Sequence, residues 1–147
     1  MPTPSDAELL QQTILFFMIE QKRVLARHVP ITQARMLSAL LRHCPISQVE
    51  LGRRMGLEKS WISRAVDKLV EQGWVERSPS EKDRRAFDLE LTPQGLAQAR
   101  LLRADLEAHA KSVLDRLDPE ARATVMQAMR LLDGVIERPE SSPTPAV

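Results

Sequence analysis

The sequence predicts a mostly α fold with one small β-hairpin. Three observations predict it. Apolar residues recur at spacings of three and four along six segments between residues 5 and 137. One stretch, "FDLEL", instead alternates, with Phe87, Leu89 and Leu91 on one face and Asp88 and Glu90 on the other, the period of a half-buried strand. Pro, Gly and capping residues stand at the boundaries between these segments, where helices and turns need them.

Composition narrows the function classes. The chain has 147 residues, enough for one domain with a core of its own. Aromatics make up 3% and there is no Tyr, which weighs against stacking platforms for single-stranded nucleic acid. A single Cys excludes an internal disulfide framework and fits a reducing cytoplasm. The longest apolar run, Ile14 to Ile19, is too short to span a bilayer, and no basic-then-apolar leader opens the chain. No membrane partner and no signal peptide are expected. Residues 53–85 hold nine basic and six acidic residues, whereas residues 86–147 hold seven and ten. The middle of the chain is therefore the expected contact surface for a polyanion.

The first helix is expected from Ser5 or Asp6, either of which can cap it, to about Arg27. Leu9, Leu10, Ile14, Leu15, Phe16, Phe17, Met18 and Ile19 cover more than one stripe, so this helix is expected to be buried against a partner subunit as well as the core. His28-Val29-Pro30 ends it. Thr32 is expected to cap a second helix over 33–43, with Met36, Leu37, Leu40 and Leu41 as its stripe. Ser47 and Glu50 stand three apart, a capping box opening a short helix whose buried face is Val49, Leu51 and Met55. Gly56 stands where that helix ends in the left-handed conformation. "EKSWISRAVDKLVEQGW" follows at once, with Ile62, Ala65, Val66, Leu69 and Val70 facing inward. Two short helices joined by a tight Gly turn form a helix-turn-helix.

Lys59, Ser60, Trp61, Ser63, Arg64, Asp67 and Lys68 face outward on the second of these helices. Hydroxyl residues and Arg near its start suit a helix that enters the major groove, where Arg reaches guanine and Ser reaches base edges or phosphate. Strands are expected at 74–78 and 86–91, making a hairpin whose tip holds Lys82, Asp83, Arg84 and Arg85. A hairpin directly after such a helix is a wing, and arginines at its tip suit a narrow minor groove. Asp83 can accept from turn amides or orient an Arg. The whole is a winged helix-turn-helix with a helical dimerisation region.

Thr92-Pro93 opens a long helix to about Leu117, roughly 24 residues or about 36 Å. Leu96, Leu102, Leu106, Val113, Leu114 and Leu117 supply its apolar faces. Asp118-Pro119-Glu120 opens the last helix, 119–137, which is expected to bury Val125, Met126, Met129, Leu132 and Ile136. The expected organisation is a dimerisation region at 1–30 and 93–138, a DNA-binding winged domain at 31–92, and a Pro- and Ser-rich tail at 139–147. Dimerisation would set two recognition helices about 34–36 Å apart over two half-sites.

Taken together, "SQVELGRRMGLEKSWISRAVDKLVEQGWVERSPSEKDRRAFDLELTPQG" resembles the MarR (multiple antibiotic resistance regulator) family, and the resemblance extends from Asp6 to about Glu137. Its specific marks are the Asp-x-Arg of the wing, Asp83-Arg84-Arg85, and the strand running into Leu-Thr-x-x-Gly, Leu89 to Gly95. The resemblance implies a cytoplasmic homodimer that binds pseudo-palindromic operator DNA, usually as a repressor released by a ligand. It places Ser60, Trp61, Ser63 and Arg64 in the recognition helix and makes Arg85 the wing arginine of the minor groove; Ser47, Lys59, Lys68, Lys82, Asp83 and Arg84 are expected at the DNA beside them. Trp61 is bulkier than the small polar residue common at its position, and can pack on sugar or on a thymine methyl. The resemblance also implies an effector site between the first, second and fifth helices, with Phe17, Met18, Gln21, Leu25, Met36, Leu40 and His43 as candidate lining. A small aromatic or lipophilic ligand would suit such walls.

Other chemistries are weaker readings. Cys44 would sense oxidants only if exposed with a depressed pKa. His28, His43, Cys44, Glu107 and His109 are available metal ligands but show no C-x-x-C or H-x-x-x-H spacing, so no metal or other cofactor is expected. No phosphate loop, nucleophile elbow or His-Glu metal helix is present, so no enzyme is expected. A winged module that binds protein or RNA is the remaining alternative.

Overall fold

The computed structural model describes residues 3–136. The elements run α1 (Asp6–Leu25), α2 (Ile31–His43), β1 (Ile46–Ser47), α3 (Gln48–Met55), α4 (Lys59–Glu71), β2 (Val75–Pro79), β3 (Phe87–Leu91), α5 (Pro93–Leu114) and α6 (Pro119–Val135). The fold is a mostly helical winged helix-turn-helix with a small antiparallel sheet. Its strand order is β1-β3-β2, with Ile46 opposite Leu89, and Val75 and Arg77 opposite Leu91 and Leu89. The expected hairpin is present as β2 and β3. The two-residue strand β1 was not expected, because two residues carry no readable periodicity.

Met36, Leu37 and Leu40 of α2, Leu51 of α3, Val66 and Leu69 of α4 and Leu89 of β3 are the fully buried centre. Leu25, Val29, Ala99 and Leu102 join the same cluster. Burial on this scale, at about 25 cal/mol per Å² of apolar surface, is what holds the short helices in place. The chain divides into two compact units, residues 1–107 and residues from 108 onward. Within the second, Asp118 caps α6 by accepting from the Glu120 and Ala121 amides, and Asp115 pairs with Lys111 and Arg122.

The helix starts refine the sequence reading. Ser5 caps α1 in a full capping box with Glu8. Thr32 does not cap α2: the helix begins at Ile31 with Pro30 at the cap, because proline's fixed φ already suits that position. Ser47 accepts from the Glu50 amide at 3.1 Å, but the Glu50 carboxylate turns forward to Arg53 and Arg54, so only half of the expected box forms. α5 and α6 stop at Leu114 and Val135, short of the expected ends, and Glu137 and the tail at 139–147 lie outside the described residues. At the start of α5, the Thr92 hydroxyl donates to the Gly73 carbonyl and accepts from the Gly95 amide.

Several expected core residues face solvent instead. Val49, Val70 and Phe87 are exposed: Val49 points away from the Leu51 side of α3, Val70 lies just off the buried arc of α4, and Phe87 shares the face of Leu89 but pairs with Pro79 at the tip end of the hairpin, beyond the core. Along α1 only Val24 and Leu25 are buried, while all eight apolar residues from Leu9 to Ile19 stay exposed. The expectation that this helix also packs on the core holds only for its last turn. Met129 of α6 and Ile136 just after it are exposed too, and that helix buries no residue fully.

Candidate nucleic-acid interface

α4 presents the outward face that its sequence pattern requires. Ile62, Val66 and Leu69 are buried, whereas Lys59, Ser60, Trp61, Arg64, Asp67 and Lys68 are exposed and Ser63 is half-buried. The Glu58 cap makes no side-chain bond, and the first backbone bond of the helix runs from the Ile62 amide to the Glu58 carbonyl at 3.0 Å. The amides of Lys59, Ser60 and Trp61 thus lack an intrahelical acceptor, which leaves positive potential at this end. The turn before it closes through Gly56 at φ 63, a left-handed value that glycine adopts without strain.

The wing tip, residues 80–86, is built by its own backbone. The Ser80 amide donates to the Ala86 carbonyl and the Ala86 amide to the Asp83 carbonyl, each at 3.0 Å. The Arg85 amide donates to the Asp83 carboxylate at 2.9 Å, so Asp83 folds the turn and does not pair with an arginine side chain. Lys82, Arg84 and Arg85 are exposed, and none of their side chains, nor those of Lys59, Arg64 and Lys68, forms an ion pair among the described residues. The interface candidates therefore carry six unneutralised cations on one helix face and one hairpin tip. Ser47 stands half-buried at the start of α3, its oxygen already capping that helix.

A brace that the sequence reading missed fixes the helix to the wing. Arg77 of β2 donates to Asp67 of α4 at 2.6 Å and to Gln48 of α3 at 3.3 Å. Its signal was available: Arg77 shares a strand face with the buried Val75, and a cation on an inward face needs a partner. A second network joins Glu50 to Arg53 and Arg54 at 2.7 Å each, and Arg54 in turn donates to His43 at 3.2 Å. The Arg53 hydrogen bond, opposed by partial desolvation and helped by Arg54, lowers the Glu50 carboxyl to about 2.

The expected effector-lining residues divide between core and surface. Leu25, Met36 and Leu40 are packed into the core, Phe17, Met18 and Gln21 are exposed on α1, and His43 is half-buried beside Arg54. A cleft of about 940 Å³ opens elsewhere, between the wing and the start of α3, with Ser47, Val49, Glu50, Lys82, Asp88 and Glu90 in its walls.

The metal and thiol candidates fare no better. Among the described residues no group of three or more His, Cys, Asp or Glu is placed to hold a metal ion. His28 is paired with Asp105 at 2.5 Å, and Glu107 with Arg103 at 2.8 Å. Cys44 is exposed as a residue, but its Sγ lies 3.8 Å from the Leu89 carbonyl and partial burial pushes the thiol upward. That is the reverse of the depressed pKa a sensor thiol needs. Among the described residues no helix is long and apolar enough to cross a membrane.

An arginine-tipped wing beside an exposed, cationic second helix defines a winged helix-turn-helix protein of the transcription-regulator class. The MarR family profile matches residues 29–86. The multiple antibiotic resistance protein MarR of Salmonella typhimurium is 30% identical over 97 residues, which span 61% of this chain and 67% of that one. A mutant MarR from E. coli superposes with a TM-score of 0.79 at 20% identity, over 90% of this chain and 98% of that one. A mutant E. coli MarR complexed with operator DNA superposes with a TM-score of 0.62 at 23% identity, over 84% of this chain and 92% of that one. The chain belongs to the MarR family, and the relatives it matches are transcriptional regulators rather than enzymes.

Proposed function

We propose that this chain is a cytoplasmic homodimer that binds a pseudo-palindromic DNA operator and represses transcription until a small aromatic or lipophilic ligand releases it. The single observation that carries the DNA reading is the set of unpaired cations on α4 and the wing tip, Arg64, Lys68, Lys82, Arg84 and Arg85 among them. In this reading α4 lies in the major groove, where Arg64 reads a base edge, and Ser60, Ser63, Lys59 and Lys68 hold bases or phosphates. Arg85 enters the minor groove, Lys82 and Arg84 flank it, and Asp83 sets the turn. Ser47 meets phosphate at the start of α3. A relative solved with operator DNA supports the assignment by fold.

The homodimer is supported by α1. Eight large apolar side chains stand exposed on this one helix, Phe16 at 65% and Met18 at 63%. A monomer in water rarely leaves so continuous an apolar surface open, and a second copy would cover it. Residues 1–30 and 93–138 are accordingly the dimerisation region and 31–92 the DNA-binding domain. Phe17, Met18 and Gln21 are the members of the proposed effector wall that a single copy leaves exposed.

The test is binding to the DNA flanking its own gene at two salt concentrations, with random DNA as competitor. Affinity should fall steeply with salt and exceed that for random DNA by about a thousandfold or more. Binding without sequence preference at either salt would overturn the operator reading and leave a winged module for protein or RNA. Sedimentation of the free protein as a monomer at micromolar concentration would overturn the dimer.

A further inference from the structure

Trp61 is 62% exposed in the first turn of α4, in a chain with only two tryptophans. The other, Trp74, packs against the core. Tryptophan is highly buried on average, so one standing in solvent beside Ser60 and Arg64 gains nothing for the fold where it is. Its place on the helix is defined. Ile62, Val66 and Leu69 point to the core, so Ser60 and Arg64 point straight out, and Trp61 lies on one flank together with Lys68, two turns further along. Val49, the exposed apolar residue of α3, and the Arg77–Asp67 brace belong to other surfaces and do not cover it.

We infer that Trp61 is a specificity-determining residue that reads the C5-methyl group of a thymine in each half-site. The inference rests on the DNA-binding reading above. The first turn of a recognition helix meets base edges rather than backbone, and the thymine methyl is the one apolar feature on the major-groove edge of the bases. Lys68, on the same flank, holds a phosphate and presses that flank toward one wall of the groove, while Arg64 reads toward the centre. The indole donor remains free for water or phosphate. Burying one methyl group changes an equilibrium by about fourfold, and two symmetric half-sites by about fifteenfold.

The experiment first selects an operator from a random-sequence duplex library with the full chain. Each thymine is then replaced by uracil, which lacks only the methyl, and affinity is measured for the wild type, Trp61→Ser and Trp61→Phe. One symmetric pair of positions should lose about fifteenfold with the wild type. Trp61→Ser should bind the thymine and uracil operators alike, near the wild-type affinity for uracil, and Trp61→Phe should keep most of the methyl dependence. A wild type indifferent to uracil at every position overturns the inference while specific, salt-sensitive binding persists, and points to packing on sugar. Undiminished uracil sensitivity in Trp61→Ser overturns it equally. Failure to enrich any sequence overturns the DNA-binding reading itself, and the inference with it.

Discussion

Arg77 Nη2 donates to Asp67 at 2.6 Å and so ties the wing's first strand to the outward face of α4. Side-chain exposures of 27% and 52% put the pair near the surface, where such pairs contribute only about 0–1 kcal/mol to stability. Its importance lies in fixing the angle between helix and hairpin, since both must meet the duplex at once. Arg77→Met should lower the unfolding temperature by only a few degrees yet weaken operator binding about fivefold or more, because each misplaced contact costs about 1 kcal/mol or more. Calorimetry and polarisation on the same samples separate the two effects. Equal losses in both would mean that the brace serves the fold alone.

Arg85 projects from a turn that Asp83 closes through the Arg85 amide, so its guanidinium is positioned without being neutralised. Arg85→Ala should weaken operator binding about tenfold or more and make the salt dependence shallower. Unchanged affinity would remove the wing from the interface.

Arg64 stands at the centre of the exposed face of α4 and forms no ion pair among the described residues. Arg64→Ala should reduce the ratio of operator to random-DNA affinity by more than it reduces random-DNA affinity, by about 1–3 kcal/mol of discrimination. Competition titrations with both DNAs measure the ratio. A parallel fall on both would make Arg64 a phosphate contact.

The legible parts of this molecule are those written in local patterns. The cap at Ser5, the left-handed Gly56, the Thr92-Pro93 start and the alternation through Leu89 each follow from a residue and its near neighbours. What stayed illegible depends on distant partners. Ser47-Glu50 satisfies the capping-box pattern, but Arg53 and Arg54 compete for the same carboxylate and win because they bring charge. Val70 fits a helical stripe, yet the arc that meets the core is narrower than the stripe, and Val49, two residues before Leu51, falls on the opposite side of α3. At the candidate interface the sequence located the outward face of α4 and the wing tip, and missed the brace because Arg77 and Asp67 are joined only by folding.

Glu50 links acid stability to the base of α3. Its folded-state pKa, about 2, lies below the ordinary 4.5, so the carboxylate contributes stability that is fully present above about pH 4.5 and is lost as pH falls toward 2. Glu8 and Asp115 are shifted in the same direction but lie exposed at the surface, where screening blunts their effect. Glu50→Gln should therefore be less stable than wild type at pH 7 and lose less on acidification between pH 4.5 and 2.5. Urea unfolding at pH 7, 4.5 and 3 measures both quantities. Identical pH profiles would mean that the Arg53 and Arg54 contacts do not persist in solution.

Gly95, in the first turn of α5, sits where a side chain has no room. A Cβ there would fall 1.8 Å from the Trp74 carbonyl oxygen and 2.7 Å from its carbon, and that oxygen already accepts from the Thr92 amide at 3.0 Å. The obstacle is backbone at the base of the wing, so it cannot swing aside as a side chain would. α5 would have to lift from the turn at Trp74, breaking the contact that joins the hairpin to the long helix. Gly95→Ala should cost about 3 kcal/mol or more, at the upper end for overpacking. Gly134, in α6, supplies the control. Among the described residues nothing lies within 4 Å of its Cβ position, so Gly134→Ala should instead stabilise by about 0.5–1 kcal/mol through the helix preference of alanine. Thermal unfolding of the two variants should thus move in opposite directions from the wild type. A Gly95→Ala protein as stable as the wild type would mean that α5 and the wing base can separate at little cost, and that the wing does not rely on this contact for its orientation.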